Sequence, residues 1–305
     1  MRRGDAKSYL PYVFSDFPTG PDTSPWIHQQ EYYDNKYPGE STAYAEKIYE
    51  ASSLNRVLGQ INVGNAFRPD NDTIRTTMHY LSNADREVFR FEYDYNSRAI
   101  NRSAGNNGYY NANTLFKNSV INEDSVQSIS FTDMQGRKIL ARSSGPNKNG
   151  RPEPVDTYYI YDDMGLLRWV ISPEGISALA STQSAPLASD SDVARQFCYV
   201  YDYDGRGRMI SRQLPGKGME YRVYDKADRL VMIQDAVMRE APAPEWILIR
   251  YDSRNRIIGK RMLASQPGED RAYYQNLFDG SRANGLYSRG VELMTSCYDL
   301  SLIHI

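Results

Sequence analysis

The sequence predicts an all-β chain, an irregular spiral of β-hairpin repeats with small helical insertions. Three observations predict it. First, one short phrase recurs: Tyr-Asp, two variable residues, a small or polar residue, Arg, then two apolar residues. Its strongest copies are Tyr203-Asp204 with Gly207-Arg208-Met209-Ile210, Tyr224-Asp225 with Asp228-Arg229-Leu230-Val231, and Tyr251-Asp252 with Asn255-Arg256-Ile257-Ile258. The copies stand 21 (224 − 203) and 27 (251 − 224) residues apart, as expected of a repeat architecture. Second, strand-like runs flank each phrase, such as Phe197–Tyr201 before and Met209–Leu214 after. Third, the chain holds 25 Tyr against 9 Phe and 3 Trp, a composition suited to sheets rather than Leu/Ala-rich helices.

Each phrase reads as a hairpin turn. Gly207, Asp228 and Asn255 share one slot, and these are the residue types that best adopt positive φ. The Asp is placed to accept turn amides, and the Arg to reach back to it or to a carbonyl. The Tyr offers a flat face to the next hairpin.

In chain order, residues 1–42 form a partial repeat and a Pro/Gly-rich loop, with a short helix expected over Gln29–Lys36. Divergent repeats fill residues 43–172. Tyr49-Glu50 is followed by Asn55-Arg56, a copy with two extra turn residues. Tyr93-Asp94 leads to Arg98, with Ser97 in the turn slot. Asp133, Gly136 and Arg137 form a copy in which Thr132 replaces Tyr. Tyr161, Asp162 and Gly165 form another, with Leu166 where Arg is expected and Arg168 two places on. Residues 143–154 read as a long hairpin tip or linker. Residues 173–196 read as a helical insertion opened by a Ser or Asp cap. The strong repeats occupy 197–264, and 265–305 reads as a second helical insertion with the start of a further hairpin and a truncated end.

Bulk properties give no case for nucleic acid or a membrane surface. Lys plus Arg is 36, Asp plus Glu is 38, and the net charge is −2. No run of 18 apolar residues and no signal peptide is present. Two cysteines, Cys198 and Cys297, make no disulfide framework; Cys198 reads as a small buried strand residue.

Candidate chemistry is weak everywhere. Asp202-Tyr203-Asp204-Gly205 resembles half a calcium loop but lacks the remaining ligands. Gly216-Lys217-Gly218 lacks a phosphate-loop framework and reads as a turn. His28, His79 and His304 are not at ligand spacing, and no nucleophile-elbow motif occurs. No catalytic, metal or cofactor residue is expected.

On these phrases, with Tyr9-Leu10-Pro11-Tyr12, Ser53–Val57 and Leu214–Gly218, the chain resembles the bacterial Rhs/YD-repeat family. More narrowly, it resembles Rhs-type proteins with an N-terminal domain of unknown function numbered 6443. The resemblance implies a wall of stacked hairpins that forms a hollow shell around a C-terminal toxin or effector domain. It also implies a secreted or cell-surface location, and the remainder of the same chain as partner. The family's self-cleaving core and variable domain have no match here, so no enzymatic activity is expected. The rival expectations are an extracellular glycan-binding or adhesin module, using exposed Tyr and Arg, and a carbohydrate-active enzyme.

Overall fold

The computed structural model describes residues 6–13, 24–68, 74–148, 151–181 and 186–295. Met1–Asp5, the Pro18–Pro21 loop, Cys297, Tyr298, His304 and the Leu300–Ile305 tail lie outside the described residues. The protein is mostly β, built from antiparallel sheet, as expected. It divides into two compact units, Met1–Phe89 with Tyr109–Asp156, and Arg90–Gly108 with Thr157–Ile305.

The first unit opens with β1 (Lys7–Tyr9), α1 (Pro25–Lys36), β2 (Tyr44–Tyr49), β3 (Val57–Ile61) and β4 (Thr76–Ser82). The chain then supplies β5 (Phe91–Tyr93) and β6 (Ile100–Arg102) to the second unit. It continues with β7 (Phe116–Ile121), β8 (Gln127–Thr132) and β9 (Lys138–Lys148). The order β1-β2-β3-β4-β7-β8-β9 is antiparallel throughout the paired strands. Neighbours in the sheet are mostly neighbours in sequence, because an antiparallel pair needs only a short turn.

Helix α1 begins at Pro25, four residues before the sequence expectation. Proline is suited to the first helical turn, where its missing N–H is not needed. The helix is pinned by polar contacts: buried Gln29 donates to the Ala43 carbonyl at 2.7 Å, and Tyr33 Oη donates to the Pro11 carbonyl at 2.7 Å.

The expected tip over 143–154 is instead strand up to its centre: β9 runs to Lys148 and β10 (Arg151–Tyr161) starts three residues later. Gly145 makes this possible. A Cβ there would lie 2.6 Å from Val155 Cγ2 and 2.8 Å from the Glu153 carbonyl oxygen, so only glycine admits the close approach. Arg142 clamps the same region, with Nε and Nη2 each 2.7 Å from an Asp156 oxygen.

The second unit takes the Thr157–Tyr161 part of β10 and adds β11 (Leu167–Ile171), α2 (Pro173–Ser181), α3 (Asp192–Phe197), β12 (Cys198–Tyr203) and β13 (Met209–Leu214). Next come β14 (Gly218–Tyr224), β15 (Leu230–Gln234), α4 (Ala236–Glu240), β16 (Glu245–Tyr251) and β17 (Ile257–Ala264). Finally α5 (Arg271–Asp279), α6 (Leu286–Arg289) and β18 (Val291–Thr295) close the described chain. Strands β10 to β18 pair antiparallel in chain order.

Helical insertions cover this unit's core. Tyr274 and Phe278 of α5 pack on Val223, Met232, Trp246, Leu248 and Leu263. The β5–β6 hairpin sets Phe91 edge-on against Tyr158, with centroids 5.4 Å apart, and Ile100 bridges to Leu187. Side-chain caps start three of the helices: Ser191 accepts from the Ala194 amide, Asp235 from that of Met238, and Asp270 from that of Tyr273. The expected insertion over 173–196 matches α2 and α3, the latter ending one residue beyond it, and that over 265–305 holds α5 and α6, whereas α4 has no counterpart in the sequence reading. Among the described residues, no helix is long and apolar enough to cross a membrane.

Candidate functional site

The recurring turn is held by backbone and side-chain hydrogen bonds together. In the copy at 204–208, the Asp204 amide donates to the Arg208 carbonyl at 3.0 Å and the Gly207 amide donates back to the Asp204 carbonyl at 2.9 Å. Gly207 has φ +75°, so the turn ends on a left-handed residue. The Asp204 carboxylate fills the inside. Its Oδ1 accepts the amides of Arg206 and Arg208, and its Oδ2 accepts Arg208 Nε at 2.7 Å. The register slips by one residue at this point, between Asp202 and Tyr203.

The same geometry recurs at the other predicted positions. Asp225 accepts the amides of Ala227 and Arg229 and the Arg229 Nε, with Asp228 at φ +59°. Asp252 accepts the amides of Arg254 and Arg256 and the Arg256 Nε, with Asn255 at φ +62°. Asp133 does so with Gln135 and Arg137, with Gly136 at φ +78°. Thr132 in place of Tyr therefore leaves the turn itself unchanged.

Arg and Tyr then join one hairpin to the next. Arg208 Nη1 extends to the Asp225 carbonyl at 3.2 Å and to Asp228 Oδ1 at 2.7 Å, and its guanidinium lies 5.0 Å over the Tyr224 ring. The Tyr224 hydroxyl donates to the Met209 carbonyl at 2.8 Å. One hairpin later, Arg229 Nη1 meets the Asp252 carbonyl and Asn255 Oδ1, and its guanidinium lies 5.2 Å over Tyr251. The Tyr251 hydroxyl donates to the Leu230 carbonyl at 2.9 Å. A cation over an aromatic face contributes about 0.5–1 kcal/mol when exposed and more when desolvated.

Three copies depart from the pattern. Glu50 replaces Asp where the turn is two residues longer, and the longer side chain spans the gap. It accepts Arg56 Nε at 3.0 Å and Nη2 at 2.8 Å, and Arg56 lies 4.8 Å over Tyr80. The Arg56 side chain, aided by Ser52, lowers the Glu50 carboxyl to about 2. At Asp94, the left-handed residue is Arg98 (φ +54°), not Ser97 as the sequence suggested. Ser97 Oγ donates to Asp94 Oδ2 at 2.6 Å in the place Arg usually takes, and the loop closes one residue later, from Asp94 to Ala99. At Asp162, Leu166 supplies the turn amide and Arg168 supplies the guanidinium, with Nε 2.7 Å from Oδ2 and Gly165 at φ +80°.

Arg168 also anchors a buried polar cluster that the sequence did not reveal. Its Nη1 lies 3.4 Å from Asp202 Oδ1, and its guanidinium lies 5.0 Å over Tyr93 and 5.2 Å over Tyr203. Asp202 further accepts Tyr93 Oη at 3.4 Å, Arg98 Nη1 at 3.3 Å and Ser211 Oγ at 3.4 Å. The cluster therefore fastens the β5–β6 hairpin to β11, β12 and β13. Burial, with Asp202 nearby, raises the Tyr93 hydroxyl above its usual range. In the sequence Asp202 stands out only as part of the incomplete calcium-loop pattern; the sheet register is what puts it beside Ser211.

Asp204, Asp252 and Asp94 are each shifted toward the charged form. Burial alone would raise Asp204, but the Arg208 amide and guanidinium and the Arg206 amide outweigh it and hold the carboxyl below 3.8. Asp252 is lowered by the Arg256 amide first, against a smaller opposing effect of burial, and then by the Arg256 guanidinium. Ser97 Oγ and the Asn96 amide lower Asp94. A general acid or base works best with a pKa near the operating pH, and these carboxyls are displaced away from it. Burial pushes the Cys198 thiol up to about 12, far from a reactive thiolate. Gly216 and Gly218 both have positive φ and form the β13–β14 turn. Among the described residues, no group of three His, Cys, Asp or Glu side chains is placed to hold a metal ion.

Residues 2–80 match the family model of a domain of unknown function, DUF6443. No curated protein matches the chain. Among solved structures, the chain is similar to the Tc holotoxin pore of Photorhabdus luminescens, at 13% identity over 79% of this chain and 9% of that chain, with a TM-score of 0.45. It is similar to TcdB2-TccC3 at 14% identity over 74% of this chain and 11% of that one, with a TM-score of 0.39. It is also similar to TcdB2-TccC3 without its hypervariable C-terminal region, at 12% identity over 80% and 14% of the two chains, with a TM-score of 0.38. The chain thus spans 9% to 14% of the length of these solved chains.

Proposed function

We propose that the chain is a non-catalytic section of an Rhs/YD-type shell wall, whose complete protein encloses a C-terminal toxin or effector domain. The observation that carries this reading is the tie between hairpins. Arg208 and Arg229 each close their own turn and bind the next one, while Tyr224 and Tyr251 bond back to the previous return strand. Such a ladder extends by repetition, which is what a wall requires. The match of residues 2–80 to DUF6443 supports the Rhs-type assignment. The partners are then the further repeats and the enclosed domain of the same polypeptide, in a secreted or cell-surface protein.

The glycan-binding alternative draws less support. The Tyr203, Tyr224 and Tyr251 hydroxyls already donate to backbone carbonyls, and arginines cover the three rings. Electron cryo-microscopy of the full-length gene product tests the proposal. The expected map places the 133–256 turns in a continuous wall around enclosed density. A full-length protein in which these hairpins stand alone, with no enclosed volume, overturns it.

A further inference from the structure

A cleft of about 450 Å³ lies in the second unit between the 204–208 turn, Lys226 and one face of α5. Arg271, Gln275 and Asp279 line it from the helix at i, i+4 and i+8, so they share that face. Four cations, Arg206, Arg208, Lys226 and Arg271, line it against two carboxylates, Asp204 and Asp279, and Lys226 donates to Ser281 Oγ at 2.9 Å. Both oxygens of Asp204 are engaged within the turn. Gln275 meets the end of β14, accepting from the Tyr224 amide at 3.1 Å and donating to its carbonyl at 2.8 Å, and it also donates to Asp279 Oδ1 at 3.1 Å. Arg206 and Arg208 share Asp228, at 2.9 and 2.7 Å. Arg271 is different. It has five N–H donors, and its hydrogen bond to the Arg222 carbonyl, at 3.3 Å, engages one of them. No carboxylate among the described residues lies within ion-pair distance of it. Burial pushes its guanidinium below the usual arginine range, and the charges of Asp204 and Asp270 only partly offset this.

We propose that this cleft is a binding site for a single carboxylate group, held by Arg271 with Lys226 alongside. A half-buried guanidinium with unused parallel donors fits a planar oxyanion in bidentate fashion. The chemistry favours a monoanion. Asp204 and Asp279 line the same cleft and would repel the second charge of a phosphate. The carboxylate comes either from a small organic acid or from an acidic side chain of a polypeptide. The inference does not depend on the shell reading, since it rests on the cleft alone.

The test is NMR of the arginine Nε–H signals of the 305-residue chain, titrated at constant ionic strength with acetate, an acetyl-capped tri-glutamate peptide, inorganic phosphate, or chloride. The expected result is a saturable shift of the Arg271 signal with the carboxylates, at least tenfold weaker with phosphate and absent with chloride. Tighter binding of the peptide than of acetate identifies a polypeptide source; equal binding identifies a small acid. Arg271→Gln should abolish the response, and Lys226→Gln should weaken it severalfold. A signal unmoved by either carboxylate overturns the proposal. So does binding led by phosphate, or an unchanged response of the other cleft signals in Arg271→Gln.

Discussion

Asp225 shows what one residue contributes. Its carboxylate satisfies two backbone amides and one guanidinium, and both side chains of the ion pair are largely shielded, at 13% and 30% exposure. Removing it leaves all three donors without that acceptor. Hydrogen bonds to charged groups contribute about 1.5–3 kcal/mol, so Asp225→Ala should lower unfolding free energy by roughly 2–3 kcal/mol in urea titration. Asp225→Asn retains an oxygen for the amides and should cost about half as much. Equal midpoints for Asp225→Ala and the parent would remove the carboxylate from any role in the turn. Glu50 supplies the pH dependence. Its carboxyl is held at about 2, against an ordinary 4.5. In the window between these values the unfolded chain binds more protons than the folded one, so the contribution is complete above 4.5 and is lost as pH falls through about 2. The Glu50 carboxyl carbon should titrate near the lower value by NMR, and Arg56→Ala should return it toward the ordinary one.

At the scale of the hairpin, the left-handed slot opposes two effects. Asp228 sits at φ +59°, a conformation costing a non-glycine residue about 1–2 kcal/mol. In return it accepts from Arg206 and Arg208, partly exposed pairs each contributing about 0.2–1 kcal/mol. Asp228→Gly relieves the first and loses the second, so stability should move by less than about 1 kcal/mol. Asp228→Val loses the pairs and keeps the strain, and should destabilise by about 2 kcal/mol or more on the same urea measurement. Tyr224→Phe removes the bond to the Met209 carbonyl and should cost about 1 kcal/mol.

The turn itself was legible in the sequence because all its parts lie within five consecutive residues. The ties between hairpins were not, because they depend on register. Tyr224 meets Met209, and Arg208 meets Asp228, only after β13 and β14 have paired. Arg168 could be seen as a displaced arginine, but its bond to Asp202 could not, since 34 residues separate them. Ser97 looked like the slot residue because serine is small; the one-residue-longer loop moved the left-handed position to Arg98.

At the scale of the whole molecule, a stack of hairpins gains stability from interfaces between neighbours as well as from each hairpin alone. If the Arg–Tyr ladder carries much of that interface, β12 to β17 should open together rather than strand by strand. Native-state hydrogen exchange on the parent and on Arg208→Ala tests this most directly. The ladder predicts a shared opening free energy across β12–β17 in the parent. In the variant, protection should fall on both sides of the broken tie, in β14–β15 as well as in β12–β13. A loss confined to the 204–208 turn, with β14 onward exchanging as in the parent, would contradict it and leave a row of independent hairpins in place of a coupled wall.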